Sequence, residues 1–404
     1  MSAAEALASI LPPEALAPDT ARQPALGRPP EAVVRPSSSE EVSRVVAWAT
    51  EEGLGVLPVA SGTRTTTVGR DGRYVALDTR RLSGIEEYEP ADLTVTAGAG
   101  TSFSAVAEAL AEHRQWAPFD PPRVAHRSLG GLVALGESGP LRMGYGELRN
   151  HVLGCRVVTG DGRVLRLGGR VVKNVAGFDV LKAVVGSRGT LAVVTSVTLR
   201  AFPVPQVDRV LGRFAGSVEA LVDDAVQVGR APVLPVSAVV VDAAGSPEGD
   251  AALLVRLHGA RETVDADQRR LEHHLGGPME PLDPTQWAGA SDHADDHDVV
   301  VEASCLPSRL ADVLEAVRAL EPESVFLDGY AAMIRAGLSH TTAEVLVKAR
   351  ERIEAAGGAL RIRSRRVDPG LEAAASRPTA GEDRLIRRLQ AAFDPVEVLC
   401  PARR

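Results

Sequence analysis

Five glycines punctuate residues 168–195, GGRVVKNVAGFDVLKAVVGSRGTLAVVT, where one loop also carries a lysine and an aspartate, Lys173 and Asp179. A glycine-punctuated loop there precedes a glycine turn that opens a strand of β-branched residues. Glycine loses more conformational entropy on folding than any other residue, so dense glycine indicates backbone that must approach something closely. We therefore expect this stretch to lie against a large anionic cofactor.

The loop from Ala60 to Gly69, ASGTRTTTVG, is a second group of residues suited to binding an anion. It follows a short apolar run, Gly55 to Val59, which predicts a buried strand. Consecutive amides and hydroxyls at the end of a strand can cradle a diphosphate. A solvated, threonine-rich surface loop explains the same residues equally well.

Two more glycine-containing stretches follow in the same half of the chain. Residues Ser128 to Gly131 read SLGG, and Gly98 and Gly100 stand in TAGAGT. A lone glycine pair usually makes only a turn, but three such stretches in order favour a common ligand. The sequence has no G-x-G-x-x-G between a strand and a helix and no G-x-x-x-x-G-K-[ST]. Neither a Rossmann nicotinamide site nor a P-loop is therefore predicted.

The composition excludes several classes of protein. A net charge of −8 over 404 residues, with 3% aromatic residues, argues against nucleic-acid binding. Because Cys155, Cys305 and Cys400 are widely spaced, neither a disulfide framework nor an iron–sulfur site within this chain is expected. The sequence shows no secretory signal and no apolar run long enough to span a bilayer, which indicates a cytoplasmic protein without a transmembrane segment.

The segment SDHADDHD places His293 and His297 four residues apart among aspartates. Such a pair could bind a metal ion on a rigid helix. The density of serine, glycine and aspartate favours an exposed acidic loop instead, and no metal site is predicted.

Hydrophobic spacing predicts an α+β architecture. Residues 1–30 are expected to form a short helix and a tether. Residues 31–205 alternate a serine-capped helix with short strands and a hairpin from Arg156 to Leu167. In residues 206–404, strands alternate with amphipathic helices, which predicts an antiparallel sheet with helices on one face.

Residues 35–205 carry motifs that resemble one family. They are IEEYEPADLTVTAGAGT, FDPP, SLGG, SGP, VLG, KNVAGFD and GSRGTLAVVT, in that order. This half is similar to the FAD-binding domain of the vanillyl-alcohol-oxidase type, also called the PCMH type, and more narrowly to the FAD-binding subunits of glycolate oxidase. The C-terminal AAFDPVEVLCPAR resembles the closing segment of these proteins. The resemblance implies a two-subdomain FAD-binding domain and an α+β cap domain, with the C-terminal segment returning to the flavin domain.

The resemblance also implies which residues hold FAD. These residues lie in four separate parts of the sequence. The cofactor-binding residues so implied are Ala60, Ser61, Gly62, Thr63, Arg64 and Thr65; Pro121, Ser128, Leu129, Gly130, Gly131, Ser138 and Gly139; Lys173 and Asn174; and Gly189, Thr190, Ala192 and Val193.

The sequence departs from the family pattern at several positions within this set or next to it. Ala60 and Ser61 stand where glycines are usual, and a positive φ would cost each roughly 1–2 kcal/mol. Arg188 stands where an acidic residue is common. No histidine follows Gly62 and no cysteine lies in residues 119–139, so FAD is predicted to bind noncovalently.

The resemblance implies an FAD-dependent oxidoreductase that acts on a small 2-hydroxy acid as a subunit of a glycolate-type oxidase or dehydrogenase. A catalytic flavoprotein subunit and an iron–sulfur subunit are the expected partners, and peripheral membrane association is compatible with this reading. Two alternatives stay open: a stand-alone FAD-dependent oxidoreductase and a flavin-free assembly subunit. No catalytic residue is assigned.

Overall fold

The structure is a computed structural model. It describes residues 2–17, 29–62, 73–169, 179–242, 244–246, 250–285, 287, 292–295, 297–363, 369–375 and 380–399. The strands are β1 (Ala32–Val34), β2 (Gly55–Val59), β3 (Tyr74–Asp78), β4 (Ile85–Glu89), β5 (Thr94–Gly98), β6 (Gln115–Trp116), β7 (Val152–Thr159), β8 (Val164–Gly168), β9 (Ala192–Arg200), β10 (Phe202–Pro203), β11 (Val207–Ala215), β12 (Ser237–Val241), β13 (Ala251–Gly259), β14 (Glu280–Leu282), β15 (Val299–Ser304), β16 (Ser324–Asp328), β17 (Met333–Leu338) and β18 (Ala359–Ile362). The α-helices are α1 (Ala3–Ala8), α2 (Ser39–Glu51), α3 (Phe103–Ala111), α4 (Leu129–Leu135), α5 (Arg142–Tyr145), α6 (Leu148–His151), α7 (Leu181–Val184), α8 (Val222–Val228), α9 (Arg261–His274), α10 (Leu310–Arg318), α11 (Ala343–Ala355), α12 (Pro369–Ala375) and α13 (Ala380–Phe393).

Three parallel strands form the first sheet, in the order β1-β3-β2. The apolar stripe of α2 is buried in the core beside this sheet. The helix begins as its sequence predicts, because the Ser38 hydroxyl accepts a hydrogen bond from the Glu41 amide at 3.1 Å. Since β2 and β3 run parallel, their carboxyl ends, at Val59 and Asp78, meet at one edge of the sheet.

The second sheet is antiparallel, in the order β4-β5-β9-β7-β8. Its hairpin of β7 and β8 confirms the one predicted from the sequence, with Val157 opposite Leu165. The helices α3 and α4 contribute Val106 and Leu132 to the core of this sheet.

Gly98 and Gly100, expected to approach the ligand, approach the chain's own backbone instead. A Cβ at Gly98 would lie 2.3 Å from the Leu82 carbonyl oxygen, and one at Gly100 would lie 2.1 Å from the Thr79 oxygen. Their absent side chains therefore allow two backbone segments to pack, which corrects the expectation of a ligand contact there.

Eight antiparallel strands form the C-terminal sheet, which comprises β11 to β18 in the order β14-β11-β13-β12-β16-β17-β15-β18. Residues of α8 to α12 cover one face and build the largest apolar core. This arrangement confirms the predicted antiparallel sheet with helices on one face. The other face carries Phe326 and Leu254 together with buried charges at Glu302, Asp328 and Arg335.

The end of the described chain packs against its beginning. Leu399 forms a parallel bridge with Val56 of β2, and the Val56 amide donates to the Val398 carbonyl at 2.8 Å. The Gly160 amide likewise donates to the Phe393 carbonyl at 2.8 Å. In the ranges given above, no helix is both long and apolar enough to cross a bilayer.

Candidate cofactor site

A pocket opens where the first and second sheets meet. Its empty space, counted together with the open solvent at its mouth, is about 900 Å³. Nine of the residues implied by the resemblance line it: Ala60, Ser61, Gly62, Ser128, Gly130, Gly131, Gly189, Ala192 and Val193. Three segments far apart in sequence thus form one wall.

The backbone at two glycines of the pocket has the left-handed conformation that favours glycine. Gly62 has φ +68° and Gly189 has φ +76°, and a Cβ at either would meet nothing within 4 Å. Ala60 and Ser61 have no positive φ. The strain considered for these two residues is therefore absent, and the substitutions do not by themselves distort the loop.

The SLGG segment supplies space rather than free hydrogen-bond donors. The Ser128 hydroxyl accepts from the Gly131 amide at 3.2 Å and caps α4. The Leu129 and Gly130 amides donate to carbonyls of Thr101 and Ala99. Because these three amides already have acceptors within the chain, other groups must provide the polar contacts to an anion in the pocket.

Two arginines line the pocket as well, and neither belongs to the cofactor-binding residues implied by the resemblance. The Arg127 side chain is only 2% exposed, and its Nη1 lies 2.5 Å from Glu137 Oε2. Arg188 has φ +55°, and its amide donates to the Ala134 carbonyl at the end of α4. A guanidinium group pairs well with a phosphate. An arginine directly before SLGG was the available signal for Arg127.

The remaining implied residues lie behind the pocket or outside the described ranges. Leu129 and Pro121 are buried, and the Thr190 hydroxyl donates to the Ser187 carbonyl. The Ser138 hydroxyl accepts from the Leu148 amide, and a Cβ at Gly139 would lie 1.9 Å from the Asp120 carbonyl oxygen. The residues outside the described ranges are Thr63, Arg64, Thr65, Lys173 and Asn174.

The segment 120–145, which contains α4, also meets the C-terminal sheet and the residues Trp287 and Asp292. We call this contact the contact face. Its pairs, given with their distances, are Asp120 Oδ2 with Trp287 Nε1 (3.1 Å), the Arg123 amide with Asp292 Oδ1 (2.8 Å), Glu137 with Arg363 (3.1 Å), Arg142 with Asp328 (3.1 Å) and Tyr145 with His258 (2.8 Å).

Burial raises the pKa of Asp120 to about 6, although the Leu141 amide and the Trp287 indole both donate to its carboxylate. A buried carboxylate loses hydration, so its neutral form is favoured. Asp120 therefore loses its proton at a higher pH than an exposed aspartate does.

A carboxylate, an imidazole and a phenol are hydrogen-bonded in series across the contact face. His258 Nε2 lies 3.0 Å from Asp208 Oδ1, and its Nδ1 lies 2.8 Å from the Tyr145 hydroxyl. Burial raises the pKa of Asp208, but hydrogen bonds from Arg256 and His258 outweigh it and hold the pKa well below its usual range. Because an ionised Asp208 can only accept, a neutral imidazole donates to it from Nε2 and accepts from Tyr145 at Nδ1.

One aspartate of the acidic stretch around His293 is less exposed than predicted. Asp295 is 8% exposed and pairs with Arg335, which is itself fully buried and lies over the Phe326 ring at 4.0 Å. The expectation of an exposed loop is therefore wrong for this residue, because its partner comes from β17. Within the part of the chain that the structure describes, no group of three or more His, Cys, Asp or Glu residues could hold a metal ion.

Comparison with known proteins matches part of this chain to a protein family. Residues 30–168 match the FAD binding domain family. The chain is 36% identical over 205 residues to the glycolate oxidase subunit GlcE of Escherichia coli (strain K12). That match covers 50% of this chain and 56% of that protein. It is 28% identical over 257 residues to the glycolate oxidase subunit GlcD of Bacillus subtilis (strain 168). That match covers 60% of this chain and 54% of that protein.

A D-lactate dehydrogenase of Archaeoglobus fulgidus is 33% identical over 205 residues, covering 49% of this chain and 44% of that protein. This chain thus spans about half the length of these curated relatives. Among solved structures, an alkyldihydroxyacetonephosphate synthase superposes with a TM-score of 0.75 at 18% identity, covering 99% of this chain and 84% of that one. That likeness concerns the fold alone.

Proposed function

We propose that this chain, whose residues 30–168 belong to the FAD binding domain family, binds FAD noncovalently in the pocket between its first two sheets. The observation that supports this site is the meeting of three separate segments at one pocket, with open backbone at Gly62 and Gly189. Arg127 and Arg188 supply positive charge beside that backbone. These residues fit a ligand that carries a diphosphate.

The chain would act as the FAD-binding subunit of a glycolate-type 2-hydroxy-acid oxidase or dehydrogenase in the cytoplasm. FAD supplies the acceptor for a hydride or electrons, and the protein supplies binding, orientation and electrostatics. Two of the relatives are subunits of glycolate oxidase by name. A catalytic flavoprotein subunit and an iron–sulfur subunit are the partners that this function requires.

Within the chain, we assign separate tasks to the two sides of segment 120–145. One side, with Arg127, Ser128 and Gly130, would hold the cofactor. The other side docks on the C-terminal sheet, which would cover the cofactor and exclude water from it. Asp120 and Arg142 would hold that sheet in place through Trp287 and Asp328.

Flavin content tests the cofactor. The purified chain should show flavin absorbance, or acquire it with added FAD, and denaturation should release all of it into an ultrafiltrate. Flavin retained by the denatured chain would contradict noncovalent binding. A colourless chain that takes up no FAD would contradict the site and favour a flavin-free assembly subunit.

Anaerobic reduction tests the subunit function. We expect glycolate or D-lactate to bleach the flavin only when partner subunits, captured with a tagged chain from its native cells, are present. Bleaching of the isolated chain at the same rate would favour the stand-alone oxidoreductase. Capture of no partner would count equally against the subunit proposal.

A further inference from the structure

Glu137 lies between an arginine of the pocket and an arginine of the C-terminal sheet. Arg127 Nη1 is 2.5 Å from Glu137 Oε2, and Arg363 Nη2 is 3.1 Å from Glu137 Oε1. The side chains of Arg127, Glu137 and Arg363 are 2%, 12% and 6% exposed. A row of three charges, two buried and one nearly so, therefore runs from the pocket wall into the sheet.

The row continues inside the C-terminal sheet. Glu302, which is fully buried, pairs with Arg363 and accepts a hydrogen bond from Arg361 Nε at 2.6 Å. Burial lowers the pKa of Arg363, but attraction to Glu137 and Glu302 outweighs it and raises the pKa. Burial raises the pKa of Glu302, and its arginine neighbours more than reverse that effect. Both residues therefore keep their charges.

A carboxylate between two guanidinium groups has its negative charge neutralised partly by each of them. Alone with Arg127, Glu137 would cancel most of the positive potential that Arg127 gives the pocket. Arg363 offsets part of the Glu137 charge, so more of the Arg127 potential reaches the pocket. Because these groups are buried, solvent and salt screen their interactions weakly.

We propose that Glu137 is a positioning residue through which the C-terminal sheet sets the affinity of the pocket for the anionic part of its ligand. The inference rests on the proposed function in taking that anionic part to be a diphosphate. It gives Arg363, which does not line the pocket, an influence on binding there. It also predicts that removing the Glu137 charge strengthens the binding of an anion, whereas removing the Arg363 charge weakens it.

The test is a titration of the flavin-free chain with ADP and with adenosine, which differ by the diphosphate. We expect Glu137→Gln to bind ADP about fivefold more tightly and Arg363→Met about fivefold more weakly, as a changed charge near the pocket predicts. Adenosine, which carries no charge, should bind both variants as it binds the wild type. Arg209→Met is the control, because Arg209 lies on β11 and pairs with Asp265, away from the pocket lining and from the contact face.

Three results would overturn the inference. In the first, both variants weaken ADP and adenosine alike, which is the mark of a merely structural role. In the second, Arg209→Met weakens ADP binding as much as Arg363→Met does. In the third, the conservative variants Glu137→Asp and Arg363→Lys, which keep the charges and remain informative if Glu137→Gln does not fold, bind ADP unlike the wild type. If the wild type binds neither ADP nor FAD, the proposed function fails as well.

Discussion

The pocket and the contact face are two sides of one segment, residues 120–145, yet they are built from different groups. The pocket is lined mainly by backbone and small residues from three segments, such as Gly62, Gly130 and Gly189. The contact face is built from single charged or aromatic side chains, each paired with a residue more than a hundred positions away. A site of backbone leaves a readable motif in the sequence, whereas a contact of side-chain pairs leaves none.

The largest effect is expected behind the contact face, at the buried ion pair of Asp295 and Arg335. Asp295→Asn removes the carboxylate that is hydrogen-bonded to the buried Arg335 guanidinium, which costs about 3–5 kcal/mol of the free energy of unfolding. Urea unfolding followed by circular dichroism measures the loss. The exposed pair of Glu344 and Lys348 is the control, since Glu344→Gln should leave stability unchanged within error. Equal stabilities for the two variants would contradict the prediction.

The next largest loss of stability is expected at Gly139. This residue tests the difference between the pocket and the contact face, because the resemblance places it in the cofactor site. Its missing side chain lets the backbone pass the Asp120 carbonyl, so Gly139→Ala should cost about 1–3 kcal/mol through overpacking. Thermal unfolding measures this cost. Gly216→Ala, at a position with open space around it, should leave the unfolding midpoint nearly unchanged. A stable Gly139→Ala protein that had lost only flavin would instead make Gly139 a contact of the cofactor.

On the pocket side, Arg188→Glu should weaken FAD binding about tenfold, equivalent to about 1.4 kcal/mol, because it reverses a charge that lines the pocket. Flavin fluorescence during titration gives the affinity. Arg166→Glu makes the same charge change on the exposed strand β8 and should leave the affinity unaltered. If both variants weaken binding equally, net charge rather than the pocket determines the affinity.

A pH dependence of stability is expected from Asp120. Its pKa is about 6 in the folded chain, against about 3.9 for an unfolded aspartate. Between these values the unfolded state has lost a proton that the native state keeps, so the Asp120 contribution to stability falls as pH rises from 4 to 6. The stability difference between the wild type and Asp120→Asn should therefore change over this range and be constant above it. A difference independent of pH would show that Asp120 titrates normally.

Much of the fold follows from local sequence patterns. The capped α2, the hairpin of β7 and β8, and the antiparallel C-terminal sheet are all set by spacing within short windows. The segments that meet at the pocket were likewise found from their glycines and hydroxyls. These features depend on neighbours a few residues apart, which a single sequence displays.

Other features depend on partners that a single sequence does not reveal. Asp295 reads as one of several exposed aspartates until β17 brings Arg335 against it. Gly98 and Gly100 read as ligand contacts, because a glycine required by backbone packing and one required by a cofactor look alike. The pairing of Tyr145 with His258 joins residues 113 positions apart, and no local pattern announces it.

The return of the C-terminal segment to β2 has a consequence for synthesis on the ribosome. Leu399 pairs beside Val56, and Leu57 and Pro58 of the same strand line the pocket. A nascent chain therefore carries β2 with one neighbour missing until some 340 more residues have been translated. Contacts of such long sequence separation form late in folding. A strand edge left open for that time is a site where chaperones would bind and where interrupted translation products would aggregate.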